Sequence, residues 1–235
     1  MADAVPHAAR SPERDRERDE AIRALFQRVE AAGRYTDEDA ALLARCFGDP
    51  RKAVRRRAAN MVAAAITSGA VTPELCERGL DSTDAATRWT AAFTLGRAGR
   101  TTPRVIDVAL EQFQIPDGDV RWAAAAIVTP VARVIEDLRS RLRVLATGAD
   151  ATARKMALIC LADAGDRDVA LAVRALEDEN AYVRLAALKA LARIGDASPA
   201  VLTALRTMAE ADPEERIRRA ATVVAERLTT AAGRK

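Results

Sequence analysis

The sequence predicts an all-α solenoid of about six helix pairs preceded by an N-terminal helix, and three observations predict it. One arginine recurs at intervals of 33, 33, 33, 30 and 34 residues. An alanine follows each of these arginines by three positions, and acidic residues stand shortly before each one. Such repetition is typical of stacked helical repeats, in which each unit buries its apolar face on its neighbours. The recurring arginines are Arg55, Arg88, Arg121, Arg154, Arg184 and Arg218.

Composition agrees with helices and leaves the binding partner open. The chain is 49% hydrophobic but only 3% aromatic. Alanine and arginine are abundant, and both favour the helix. Alternation of apolar and polar residues at period two is absent, so no sheet is expected. A net charge of +3 permits an acidic partner without requiring one.

The N-terminal segment is expected to hold a disordered tail and one capping helix. Residues 1–11 form the predicted tail. Ser11 and Pro12 suit the cap and first position of a helix over residues 12–33, and Gly33 suits its end.

The repeat array is expected to cover residues 36–230. Thr-Pro and Ser-Pro pairs at the helix starts indicate N-caps, and glycines indicate helix ends. The predicted repeats are 36–69, 72–99, 102–130, 131–165, 166–196 and 198–230.

The clearest copy of the repeat runs from Asp178 to Asp196 and reads DENAYVRLAALKALARIGD. It resembles a HEAT repeat, most closely the short HEAT-like type named after phycobilisome lyase subunits. The resemblance implies a right-handed superhelix whose second helices (B helices) line a concave surface. It also implies a structural ladder in which turn aspartates pair with the six recurring arginines. Arrays of this kind serve as scaffolds, adaptors, nucleic-acid binders and enzyme subunits, so fold alone does not assign a function.

Helical phase separates a buried side of each B helix from an outward one. Positions are numbered from the residue before the arginine, which is position 0. Apolar residues recur at positions 0, +4, +5 and +8, so +2, +6, +9, +10 and +13 point the other way. Both tryptophans fall on this outward side, which predicts a binding surface for a partner protein segment. The predicted binding residues are Trp89, Phe93, Trp122, Arg56, Arg97, Arg100, Arg133, Lys155 and Lys189.

Several alternatives to this interpretation stay open. A shifted helical phase would place both tryptophans in the core, and a homodimer seam would use the same patch. Nucleic acid is a less favoured partner. A faint similarity to HEAT-like DNA glycosylases rests on Trp89, Trp122, Asp163, Arg97 and Arg133, and a bilin-lyase-like enzyme subunit is the other alternative.

Catalysis is not expected from the residue inventory. The single histidine, His7, lies in the predicted tail. Serine or cysteine nucleophiles that depend on histidine therefore lack their base, and histidine metal sites lack ligands. The HEAT-like di-iron hydroxylases need several His-Glu pairs, which are missing here. No cofactor or metal is predicted. Cys46, Cys76 and Cys160 form no CxxC motif and are expected to be buried.

The expected location is the cytoplasm. The charged N-terminal region has no apolar core of a signal peptide, and no apolar run approaches a membrane span. Together these points predict a cytoplasmic, non-catalytic interaction module or scaffold. The sequence does not identify its protein partner.

Overall fold

The structure, a computed structural model, describes residues 12–233 and is all-α over that range. The predicted disordered tail, with Ser11 and His7, lies outside the described residues. Within them, no helix is long and apolar enough to cross a membrane. The α-helices are α1 (Pro12–Ala32), α2 (Asp37–Ala44), α3 (Lys52–Thr67), α4 (Glu74–Gly79), α5 (Ala85–Arg97), α6 (Pro103–Glu111), α7 (Gly118–Ala132), α8 (Glu136–Leu145), α9 (Ala151–Ala164), α10 (Val169–Arg174), α11 (Ala181–Ile194), α12 (Pro199–Ala211) and α13 (Glu215–Ala232).

After α1 the helices of the described residues form six pairs, which confirms the predicted α-solenoid class. The even-numbered helices are the first members of the pairs, and α3, α5, α7, α9, α11 and α13 are the B helices. Short 3-10 turns at Gln112–Gln114 and Ala175–Glu177 extend α6 and α10. The recurring arginines all lie in the first turn of a B helix.

The chain divides into two compact units, which meet inside α6 between Val105 and Ile106. In the first unit α3 packs on α5, and α1 packs on α2. In the second unit the B helices stack in sequence, α7 on α9, α9 on α11 and α11 on α13. The arginine spacing continues unchanged through this boundary, so the sequence gives no sign of it.

Most helix boundaries follow the residues that predicted them. Thr36 forms a capping box with Asp39 at the start of α2. Gly165 and Gly195 end α9 and α11 with φ of +84° and +73°, a backbone region that favours glycine. Ser198 differs from the prediction, because no helix N–H donates to its side chain and its hydroxyl instead donates to Asp196.

The repeat boundary predicted at Pro130 falls inside α7. The helix continues through Pro130 to Ala132. The proline lacks the N–H that would bond to the carbonyl of Ala126, but Ala126 is exposed, so water can reach that carbonyl. A backbone hydrogen bond of 3.2 Å from Arg133 to Thr129 closes the last turn.

Alanines at position +4 allow the B helices to pack closely. All six are fully buried, with 0% of their surface exposed: Ala58, Ala91, Ala124, Ala157, Ala187 and Ala221. Positions +5 and +8 are also buried in the first five repeats, where they hold Ala59, Val62, Ala92, Leu95, Ala125, Val128, Leu158, Leu161, Leu188 and Leu191. The burial pattern therefore confirms the helical phase read from the sequence.

A further buried position lies eight residues before the arginine, beneath the turn that joins each pair. Its occupants in the first five repeats are Phe47, Leu80, Phe113, Ala146 and Leu176, all buried. The side chain differs in size, but the site is apolar each time. This position therefore adds an apolar side chain to the core of each of these repeats.

Candidate functional site

Each recurring arginine holds the turn that precedes its own helix. Its Nη1 donates to the backbone carbonyls six and five residues upstream, and the pattern holds in all six repeats. In α11, for example, Arg184 donates to the carbonyls of Asp178 at 2.9 Å and Glu179 at 3.1 Å. The other five pairs of acceptors are Asp49 and Pro50, Ser82 and Thr83, Ile115 and Pro116, Gly148 and Ala149, and Asp212 and Pro213. These bonds satisfy carbonyls that no helix would otherwise pair.

Two of these arginines also bind an aspartate of the following repeat side-on. Arg154 donates from Nε and Nη2 to the carboxylate of Asp178, at 2.7 and 2.9 Å. Arg184 makes the same pair of bonds to Asp212, at 2.7 and 3.1 Å. Both guanidinium groups are buried in this arrangement. The ladder implied by the family resemblance is therefore present between these repeats.

Aspartates near the turn divide into two structural roles that the sequence analysis did not separate. Those four residues before the arginine cap the helix: Asp84, Asp117 and Asp150 accept backbone N–H bonds from the first turn. Those six residues before it accept from arginines and from a backbone N–H two residues later: Asp49, Asp178 and Asp212. The spacing to the arginine is the signal that distinguishes the two groups.

No repeat precedes Asp49 among the described residues, and an arginine of the N-terminal helix α1 binds this aspartate instead. Arg18 of α1 donates from Nη2 to Asp49 at 2.9 Å, and the Asp49 side chain has no exposed surface. Hydrogen bonds from Arg51 are the largest cause that lowers the pKa of Asp49. The capping helix thus uses the same chemistry as the repeats, a relation that the sequence analysis missed.

Ladder aspartates stay ionised because their hydrogen bonds outweigh their burial. Burial alone would raise the pKa of Asp178 and of Asp212. Bonds from Arg154 and Arg184, and from backbone N–H groups, reverse that effect and lower both pKa values below the ordinary range.

Stability is therefore expected to fall in acid. A carboxyl group whose pKa is lower in the folded state contributes stability above its unfolded pKa of about 3.9, and loses it as the pH falls through the folded value. We expect the midpoint of urea unfolding to drop between about pH 6 and about pH 3. Asp212→Asn should show a smaller drop than the wild type, and an equal drop would exclude Asp212 as a source of the effect.

Four outward positions of the B helices, +2, +6, +10 and +13, hold the predicted binding residues and are hereafter called the B-helix face. Of the predicted binding residues, Arg56, Arg97, Arg100, Arg133 and Trp122 are exposed. Trp89, Phe93, Lys155 and Lys189 are half-buried. None of the nine is fully buried, so the alternative that places both tryptophans in the core is wrong.

In the first unit, two aromatic side chains of α5 form a pair. Trp89 and Phe93 lie one helical turn apart, with ring centroids separated by 5.8 Å and planes inclined by 49°. This tilted arrangement is favourable for aromatic rings. The pair offers a partly exposed apolar surface on the B-helix face of that unit.

In the second unit, cationic and aromatic groups alternate across successive repeats. Trp122 of α7 has 52% of its surface exposed. Tyr182 of α11, 56% exposed, lies between the Nζ of Lys155 at 5.6 Å and the guanidinium of Arg216 at 4.9 Å from its ring centroid. These distances are those of cation–π contacts. Sequence analysis missed Tyr182 because it stands at position −1, which is not one of the predicted outward positions.

Lys155 has an unfavourable electrostatic environment. Burial is the largest cause that lowers its pKa, and the positive charge of Arg121 lowers it further. Tyr182 opposes that shift. Two cations from neighbouring repeats therefore stand close enough to repel each other beside an exposed tryptophan.

Lys189 forms an ion pair within the chain. Its Nζ donates to Asp163 at 3.1 Å, and Nη2 of Arg193 lies 3.0 Å from the same carboxylate. Arg133 donates to the backbone carbonyl of Asp163 at 3.4 Å. Charges in this part of the second unit are thus largely balanced within the chain.

The three cysteines are buried, as expected. Burial is the main cause that raises the pKa of Cys76 and of Cys160 to about 12. Their thiols therefore remain protonated and poorly nucleophilic near neutral pH. Among the described residues, no group of three or more histidine, cysteine or acidic side chains is arranged to hold a metal ion.

Comparison with solved structures finds similar chains, two of which are described as repeat proteins. A HEAT-like repeats protein from the archaeon Thermococcus onnurineus NA1 has a TM-score of 0.52 and 12% identity, with 89% of this chain and 92% of that chain covered. An engineered protein has a TM-score of 0.46 and 18% identity, with 82% and 97% covered. A designed armadillo repeat protein in complex with a (KR)4 peptide has a TM-score of 0.43 and 18% identity, with 93% and 95% covered.

The family comparison rests on the sequence itself. No curated protein matches the chain. A family model described as HEAT repeats matches residues 40–128 and 138–226, which together exceed half of the chain. With its six helix pairs and its arginine ladder, the chain belongs to the HEAT-repeat family.

Proposed function

We propose that this protein is a non-catalytic interaction module that binds a segment of a partner protein along the B-helix face. The observation that carries the proposal is the exposure of aromatic rings among cationic groups in the third and fifth repeats. Trp122 and Tyr182 are large, rigid side chains left more than half exposed. Burial of such rings by a partner is a main source of binding free energy, and arginine often accompanies them.

Charge on the same face favours an acidic partner. In the second unit, the four positions of this face hold six cationic residues and three acids, Asp163, Asp166 and Asp196. The cationic residues are Arg133, Lys155, Lys189, Arg193, Arg219 and Arg227. Complementary charge steers association and selects among partners more than it adds affinity. The aromatic side chains would then supply contact area, and the cations would supply selectivity.

We also propose that the repeats are of the short HEAT-like subtype. The arginine-centred motif resembles the short repeats of phycobilisome lyase subunits, and the described residues add no specific signal for bilin chemistry. We therefore propose binding alone as the function.

Removal of both tryptophans tests the proposal. We expect Trp89→Ala with Trp122→Ala to weaken partner binding by at least about 2 kcal/mol, roughly thirtyfold, because each truncation removes ring area from the contact surface. Affinity capture from native lysate with the full chain, followed by titration of the captured protein, measures the loss. Each single variant shows which unit contributes.

The matched control removes exposed apolar groups elsewhere. Val134 and Val144 are 77% and 71% exposed and lie outside the B-helix face. Val134→Ala with Val144→Ala should retain the partner and the helical circular dichroism of the wild type. Equal loss in both double variants, or capture that disappears on nuclease treatment, would contradict binding of a protein segment at this face.

A further inference from the structure

At three rungs of the ladder the aspartate position holds another residue: Ser82 for Arg55, Ile115 for Arg88 and Gly148 for Arg121. The aspartate that binds Arg154 or Arg184 stands six residues before the next recurring arginine. For Arg121 that position is occupied by Gly148. Its backbone nevertheless has the ladder arrangement, because the carbonyl of Gly148 accepts from Arg154 at 3.1 Å, as the carbonyl of Asp178 accepts from Arg184 at 2.9 Å.

Arg121 makes the backbone contacts that all six recurring arginines share. Its Nη1 donates to the carbonyls of Ile115 and Pro116, as in every other repeat. Within the described residues, Nε and Nη2 make no hydrogen bond to a carboxylate. These are the two atoms through which Arg154 and Arg184 bind aspartate.

Cationic and aromatic side chains of the following repeats lie near Arg121. Lys155, from the next repeat, is near enough to Arg121 to feel its charge. Beyond Lys155 follow the ring of Tyr182 and the guanidinium of Arg216. Two repelling cations in a half-buried setting are stabilised strongly by a carboxylate placed between them.

We propose that Arg121 and Lys155 form an anchor site for a side-chain carboxylate of an acidic, extended protein segment. The incoming carboxylate would bind Nε and Nη2 of Arg121 side-on, in the place that Asp178 and Asp212 take in later repeats. Trp122 and Tyr182 would contact the apolar residues that flank the acid. This inference rests on the proposed function and adds the chemistry of the partner.

A carboxylate fits this site better than a phosphate backbone does. The chain itself shows the preferred ligand, because the equivalent atoms of Arg154 and Arg184 bind planar aspartate groups. Exposed apolar surface beside the cations suits a peptide that alternates acidic and apolar residues. Binding of nucleic acid is therefore an outcome that the test must distinguish.

Gly148→Asp tests the site by filling it from within the chain. A Cβ at Gly148 would meet the carbonyl oxygens of Leu145 and Val144 at 3.4 and 3.9 Å, ordinary contact distances. The new carboxylate should bind Nε and Nη2 of Arg121 and thereby exclude an acidic ligand. Gly148→Asn has nearly the same shape without the charge, so it is the matched control.

The probe is a fluorescein-labelled octapeptide of alternating aspartate and leucine, titrated with the full-length chain in an anisotropy assay. We expect Gly148→Asp to bind it about tenfold or more weakly than Gly148→Asn, the size expected for loss of one charged hydrogen-bond pair. Arg121→Gln should weaken binding similarly. The thermal unfolding midpoint of Gly148→Asp should equal or exceed that of Gly148→Asn.

The remaining outcomes separate this inference from the proposed function. Equal binding by both Gly148 variants, or no binding by the wild type, would overturn the anchor site. In either case partner capture that depends on the tryptophans would leave the proposed function intact. An asparagine–leucine peptide that binds as well as the acidic one, or preference for oligo(dT) over the peptide, would also overturn the carboxylate assignment.

Discussion

Substitution of Arg184 with alanine is expected to lower the free energy of unfolding by about 3–5 kcal/mol, the loss observed when one partner of a buried ion pair is removed. The Asp212 side chain is only 3% exposed, so its carboxylate would lose its cationic partner without gaining contact with water. The carbonyls of Asp178 and Glu179 would lose their donor at the same time. Urea unfolding monitored by circular dichroism measures the change.

Arg219→Ala is the matched control for this variant. Arg219 pairs with Glu215 of the same helix, but both side chains are largely exposed. Exposed pairs of this type contribute about 0.3–0.5 kcal/mol. A double variant, Arg184→Ala with Asp212→Ala, should lose less than the sum of the single losses, because the two groups interact directly. An Arg184→Ala loss no larger than that of Arg219→Ala would contradict a structural ladder.

Helical phase was the most reliable information in the sequence. Buried alanines three residues after each arginine fix the inner side of every B helix, and the exposure of Trp122 on the opposite side follows from geometry. The fold class and most of the predicted binding residues could therefore be placed from periodicity alone. A repeated pattern averages out the ambiguity of any single helix.

Contacts between repeats could not be predicted in the same way. Whether a turn aspartate caps its helix or binds the arginine of the preceding repeat depends on a shift of two residues. The stacking of the helices must be known before this two-residue shift can be assigned to one role or the other. The pairs Arg154–Asp178 and Arg184–Asp212, and the contact of Arg18 with Asp49, all depend on it.

Tyr182 shows a second limit of periodicity. It is the second residue of α11, where the helix is just beginning and the side chain can lean toward the neighbouring repeat. Its importance comes from Lys155 and Arg216, which belong to the repeats on either side. A single tyrosine at a position that is otherwise not aromatic gives no repeated signal.

Replacement of Phe113 with alanine is expected to lower the free energy of unfolding by about 3–5 kcal/mol, the range for deletion of a buried aromatic ring. Phe113 has 0% exposure and lies in the 3-10 turn Gln112–Gln114, which packs on α7 and α9. Leucine occupies the equivalent position in two other repeats, at Leu80 and Leu176. Phe113→Leu should therefore lose less than about 1.5 kcal/mol.

The same substitution links the core to the proposed anchor site. Ile115 and Pro116 stand two and three residues after Phe113, and their carbonyls hold the guanidinium of Arg121. A cavity beneath this turn should loosen those carbonyls, so Phe113→Ala should also weaken binding of the acidic octapeptide under conditions where it remains folded. Phe113→Leu should retain both stability and binding. If Phe113→Ala lost stability but bound the peptide normally, the turn would support the fold without positioning Arg121.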